Sequence, residues 1–218
     1  MSKKTVFTII YTIIVGLEVV SSEIPSLSAV NYVAKPAIIS SLLIYFLSHS
    51  TPKPFKAWVT LALVFSLIGD VLLMFAGTNE LFFIFGLIAF LLAHLVYIKI
   101  FSFNQNKSLN IWATIIGFGL YGALFFLLLK DHLGSLLVPV AVYMLVILCM
   151  GLFAYRRRGK VSLESFRLVF MGALLFMVSD SILALNKFYI AITSSGFLIM
   201  ATYSFAQYFI VNGLLKNK

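Results

Sequence analysis

Eight mostly apolar runs, each close to the ~20 residues a helix needs to cross the hydrocarbon core of a bilayer, follow one another along the chain. They fall near 5–22, 29–48, 57–76, 81–101, 110–129, 134–155, 165–186 and 189–214, cut at polar or proline-containing breaks. The breaks at 23–28, 50–56, 77–80, 102–109, 130–133 and 156–164 are too short to fold as domains, and the one at 186–188 is the briefest. The pattern predicts an all-α, polytopic bundle of eight transmembrane helices, a single integral-membrane domain over 1–218.

Composition agrees. Of 218 residues 62% are hydrophobic and 11% charged, where soluble domains run at about 45–50% and about 25%. With a mean hydropathy of +1.08, a soluble domain, a disordered chain and a nucleic-acid-binding protein are all excluded as classes. The net charge of +9 sits largely in the short connectors, so it speaks of topology and not of a polyanionic partner. The one cysteine, Cys149, lies inside the apolar run 140–153, which leaves no intrachain disulfide and no cysteine metal site.

Met1-Ser2-Lys3-Lys4 before an apolar stretch resembles a signal peptide, but Glu18 interrupts that stretch and no Ala-x-Ala site follows, so it reads as a retained first span. With the N-terminus cytoplasmic, Lys3, Lys4, Lys53, Lys56, Lys99, Lys107, Arg156, Arg157, Arg158, Lys160, Arg167, Lys216 and Lys218 are inside, and only Lys130 and Lys187 outside. Both termini are then expected in the cytoplasm, in the inner membrane if the source is bacterial. A parallel 4+4 internal repeat is suggested, because Gly69-Asp70 on the third span answers Ser179-Asp180 on the seventh, Ala93-His94 answers Ala206-Gln207, and Lys35-Pro36 answers Val138-Pro139.

An ionised side chain at mid-bilayer costs at least ~2.5–3.5 kcal/mol, so each one needs a partner, a cavity or a task. Glu18, Lys35, Asp70, His94 and Asp180 qualify. Counting from the span ends puts Asp70 and Asp180 about 9 Å below the outer boundary, with Lys35 at similar depth, Glu18 nearer the surface and His94 deeper. A shared polar pocket open to the non-cytoplasmic side is expected. Asn31 and Lys35 lie one turn apart and Asp180 and Lys187 two turns apart on one face, while Tyr97 follows His94 at i+3.

Simpler readings compete. Glu18, within a turn of the span end, reads as snorkelling or capping. Lys35 alone could be the counter-ion of one Asp, and His94 a hydrogen-bonded interhelical residue. Arg156, Arg157 and Arg158 read as an orientation signal touching lipid headgroups, and Lys99 as a snorkelling anchor. One Lys cannot neutralise two buried carboxylates, so for Asp70 and Asp180 together the functional reading prevails. No Gly-x-Ser-x-Gly, His-Glu-x-x-His, phosphate loop or Gly-x-Gly-x-x-Gly occurs, and no metal site or cofactor is expected.

Two carboxyl groups in a low-dielectric pocket resist ionising together, so one holds a proton while the other is an anion beside a cation. Such a pair can run general acid catalysis through an oxocarbenium-like state. A small proton-coupled transporter would use the same intramembrane Asp and Lys groups, and a purely structural bundle would leave no pocket between its helices.

Asn31-Tyr32-Val33-Ala34-Lys35-Pro36, Gly69-Asp70-Val71-Leu72-Leu73-Met74, Ala93-His94-Leu95-Val96-Tyr97, Ser179-Asp180 with Asn186-Lys187-Phe188, and Ala206-Gln207 occur in that order. Together they resemble the YhhN family of membrane lysoplasmalogenases, from the second span to the eighth. The resemblance implies eight spans and hydrolysis of the vinyl ether of a lysoplasmalogen to a fatty aldehyde and a glycerophospho-base. Its partners would be a lysophospholipid and the bilayer, not nucleic acid; oligomeric state is not readable. Mapped on this chain, it implies catalysis by Asp70 and Asp180 with His94 as relay. Lys35 and Lys187 would meet the phosphate and Asn31, Asn186 and Gln207 would orient headgroup or water. Tyr32 and Tyr97 complete the substrate-binding set, and the Phe-rich helices would hold the alkenyl chain.

Overall fold

The computed structural model describes residues 2–216, apart from the side chain of Pro25. Met1, part of the signal-peptide-like start, and Lys218, counted in the orientation reading, lie outside the described residues. In lipid every backbone N–H and C=O must be satisfied within its own segment, which favours helices, and no strand occurs among the described residues. The helices are α1 (Lys3–Glu23), α2 (Ser28–Leu47), α3 (Lys53–Met74), α4 (Glu80–Ser102), α5 (Trp112–Leu129), α6 (Leu137–Tyr155), α7 (Leu163–Phe188) and α8 (Ser195–Leu215). Each is long and apolar enough, with its flanking turns, to cross a membrane, so the chain is a multi-pass membrane protein.

Three helix starts carry side-chain caps. Ser2, Asn79 and Ser162 accept from the backbone N–H of Thr5, Leu81 and Ser165, and Pro54 sits in the first turn of α3. The boundary expected at 186–188 is not one: α7 runs unbroken through Asn186, Lys187 and Phe188, and the eighth helix starts at Ser195, not 189. The turn lies further on, where the Asn186 side chain accepts from the Ile192 N–H at 2.9 Å and Ser194 takes a left-handed conformation, φ 53°. Asn186 and Lys187 therefore stand on a helix.

α1, α2, α3, α4, α6, α7 and α8 close into a ring, each packing on its neighbours, with α5 outside against α6. α8 is the most buried helix and α5 the least. The hairpins α3–α4 and α7–α8 pack most extensively. In α7–α8 this depends on glycine: a Cβ at Gly172 would stand 2.8 Å from the Ala206 carbonyl oxygen, and one at Gly213 3.0 Å from the Val169 nitrogen.

Polar bonds knit the ring. Tyr97 on α4 donates to Gln207 Oε1 on α8 at 2.6 Å, and Gln207 Nε2 donates to Ser66 Oγ on α3 at 3.0 Å. Most of the basic residues of the described chain gather at one end, where α2, α4, α6 and α8 finish and α1, α3, α5 and α7 begin, whereas Lys35, Asp70, Lys130, Asp180, Asn186 and Lys187 lie toward the other.

Candidate active site

Between α2, α3, α4, α7 and α8 lies a cavity of about 280 Å³ whose wall includes Lys35, Asp70, Asp180, Asn186, Lys187 and Tyr203. That is near the lower end of the size range of small-molecule sites. It reaches the α3–α4 connector at Gly77 and the start of α8 at Gly196, and so lies at the end of the bundle away from the basic cluster.

The two carboxylates enter from opposite sides, each held by a tyrosine. Asp70, on α3, is 2% exposed, and its Oδ2 accepts from the Tyr203 hydroxyl of α8 at 2.9 Å. Asp180, on α7, accepts at Oδ2 from the Tyr143 hydroxyl of α6 at 2.5 Å. His94, wholly buried on α4, brings Nε2 to 3.9 Å from Asp180 Oδ2, and neither ring nitrogen has a hydrogen-bond partner among the described residues. Phe176 and Tyr143 hold the imidazole edge-on, with centroids at 4.6 and 5.4 Å.

Lys35 sits beside the helix-interior Pro36 of α2, whose missing N–H leaves the Tyr32 carbonyl without its helical donor. It attracts both Asp70 and Glu18 across the cavity side of the bundle. Among the described residues it forms no ion pair within 4 Å. Lys35 and Asp70 line the same cavity without a locked ion pair between them. Lys187 lies over the Phe83 ring, 5.0 Å from its centroid, which anchors the second cation on the wall.

Other sequence-derived residues sit elsewhere. Glu18 is 1% exposed and accepts from Nδ2 of the half-buried Asn31 at 3.4 Å, so it neither snorkels nor caps; neither residue lines the cavity. Tyr32 is exposed against Phe75 and Tyr97 and Gln207 are buried in the interhelix network, so the geometry brings none of the three to the cavity. Arg157 is also corrected: it folds inward, 1% exposed, donating to Ser165 Oγ at 3.0 Å and lying over Phe101. Burial lowers its pKa to about 10, which leaves it charged at neutral pH.

Sequence reasoning missed Tyr143 and Tyr203. Tyr203 carries a weak signal, one turn before Gln207 on the same face. Tyr143 stands alone in an apolar run and carries none. Among the described residues no three His, Cys, Asp or Glu side chains converge as a metal site would require.

Comparison with known proteins points the same way. The chain is 28% identical over 201 residues to the lysoplasmalogenase TMEM86A of Bos taurus, covering 88% of this chain and 80% of that protein. It is 31% identical over 157 residues to the human lysoplasmalogenase TMEM86B, covering 72% and 62%. Against the lysoplasmalogenase of Mycobacterium bovis it is 26% identical over 192 residues, covering 84% and 71%. None of these names supports the transporter reading, and no solved structure matches the chain. Residues 30–214 match the YhhN family, a stretch that holds Lys35, both carboxylates and both tyrosines, and the chain belongs to that family.

Proposed function

We propose that the protein is a lysoplasmalogenase-like hydrolase, cleaving the vinyl ether of a lysoplasmalogen to a fatty aldehyde and a glycerophospho-base. The observation that carries the reading is the pair of carboxylates, from α3 and α7, facing one intramembrane cavity that also holds Lys35 and Lys187. The names of the relatives support it.

A vinyl ether hydrolyses by slow protonation of its β-carbon, which makes an oxocarbenium ion that water captures. The site therefore needs a positioned acid and a nearby anion. Asp180, beside His94, is assigned the proton donor; Asp70, on α3 next to the α2 wall that carries Lys35, is assigned the anion. Water adds to the oxocarbenium carbon while Asp70 takes its proton. The hemiacetal then collapses to aldehyde and the glycerol hydroxyl. The proton gained by Asp70 replaces the one Asp180 gave to carbon, with His94 as the relay at Asp180. Lys35 and Lys187 hold the phosphate and Asn186 orients the headgroup. Asn31 acts through Glu18, and Tyr97 and Gln207 act by bracing α3, α4 and α8.

The single domain spans 1–218, with both termini cytoplasmic by the positive-inside rule and the cavity facing outward; in a bacterium the membrane is the inner one. The test is fatty-aldehyde release by the purified protein from a lysoplasmalogen, beside Asp70→Asn, Asp180→Asn and an ester-linked lysophospholipid. Release from the vinyl ether alone, lost in both variants while the fold is kept, is expected. Wild-type rates in both variants would refute the assignment.

A further inference from the structure

The polar cavity is not alone in reaching Asp180. On its other side lies a narrow slot walled by α4, α5, α6 and α7, in which Asp180 is the one charged group among the described lining residues. Phe83, Asp180 and Leu183 line both slot and cavity, so the two spaces flank the carboxylate. Most of the slot is aliphatic or aromatic, which suits a hydrocarbon and repels a charged headgroup.

The slot has a defined inner end. α5 and α6 are antiparallel neighbours, so the first α5 residues on the wall, Tyr121 and Gly122, lie level with the last on α6, Leu148. There the helices nearly touch: a Cβ at Gly122 would stand 2.5 Å from Leu148 Cδ1. From Val140 to Leu148 the wall runs about 12 Å along the helix. Its outer side is formed by α5, the least buried helix, which meets α7 through a hydrogen bond between Tyr121 and Ser181, the residue after Asp180.

We propose that this slot takes the hydrocarbon chain of the substrate, with the headgroup in the polar cavity and the scissile bond beside Asp180, and that the Gly122–Leu148 contact sets how far the chain enters. The assignment rests on the lysolipid reading of the cavity and adds a selectivity to it. The thin wall between α5 and α7 is where the chain exchanges with the bilayer.

The first arm of the test needs no turnover. An alkyl-ether lysophospholipid, which has no vinyl ether to cleave, carries a diazirine at the end of its chain and is irradiated with the full-length protein. Label on Phe125, Met144 or Leu148 that excess lysoplasmalogen displaces is expected. Label spread over the lipid-facing sides of α1 and α2, or slot label that lysoplasmalogen leaves in place because a bilayer lipid occupies the slot, overturns the proposal. The second arm compares kcat/KM for a decenyl lysoplasmalogen, whose chain about matches the length of the slot, and a hexenyl one. Gly122→Leu should lower the long-to-short ratio about tenfold, the scale of a methylene or two misfitted in a hydrophobic pocket. Gly119→Leu, on the open face of α5, should keep the wild-type ratio; an unchanged ratio in Gly122→Leu overturns the proposal. Displaceable slot label in a protein that releases no aldehyde would retire the hydrolysis and keep the slot. Aldehyde release with label outside the slot would do the reverse.

Discussion

Each carboxylate of the cavity takes a hydrogen bond from a tyrosine on a different helix, Tyr203 to Asp70 and Tyr143 to Asp180, and these bonds fix where the oxygens point. A hydrogen bond to a charged group is worth about 1.5–3 kcal/mol, which converts to roughly tenfold to a hundredfold in rate if it is felt mainly in the transition state. Tyr143→Phe is therefore expected to lower kcat by about that much with KM little changed, as steady-state aldehyde release would show. Tyr203→Phe should do the same through Asp70. The charged members of the site were legible because each ionised group in a span is costly and so conspicuous. The tyrosines were not, because a tyrosine in an apolar helix looks like any other aromatic until its hydroxyl is placed. Arg157 misled for the converse reason: in a run of three arginines nothing marks the one that turns inward to Ser165 and Phe101.

At the scale of elements, the α7–α8 hairpin matters most, since it supplies Asp180, Asn186, Lys187 and Tyr203 to one wall. Its helices approach closely because Gly172 and Gly213 face backbone atoms of the partner helix. Gly172→Val should force them apart at a cost of about 1–3 kcal/mol, read as a lower midpoint of thermal unfolding in detergent; Gly16→Val, with open space around it, should not. Eight helices follow directly from eight apolar runs. The misplaced turn before α8 has a physical cause, because Asn186 reads as a break in sequence yet uses its side chain to receive the Ile192 N–H while its backbone stays helical. Correcting it moves Asn186 and Lys187 from a loop onto the cavity wall.

For the whole molecule, a ring of seven helices with α5 outside gives a polar cavity at one end, an apolar slot beside it and a basic cluster at the other end. The positive-inside rule then predicts sidedness. In a Cys149→Ala background, Lys187→Cys should react with a membrane-impermeant maleimide on intact cells, and Arg158→Cys only after permeabilisation; the opposite pattern would invert the topology. The eight spans could be counted from the chain, whereas the meeting of cavity and slot at Asp180 depends on how α6 and α7 rotate against each other, which no local pattern encodes. The central claim is that a carboxyl group in this cavity protonates carbon. The most direct measurement is hydrolysis of a lysoplasmalogen in heavy water, with the aldehyde reduced as it forms and read by mass spectrometry. One deuterium on the carbon next to the former carbonyl for every turnover, with no product from Asp180→Asn, is the expected result; aldehyde released without deuterium at that carbon would contradict the account.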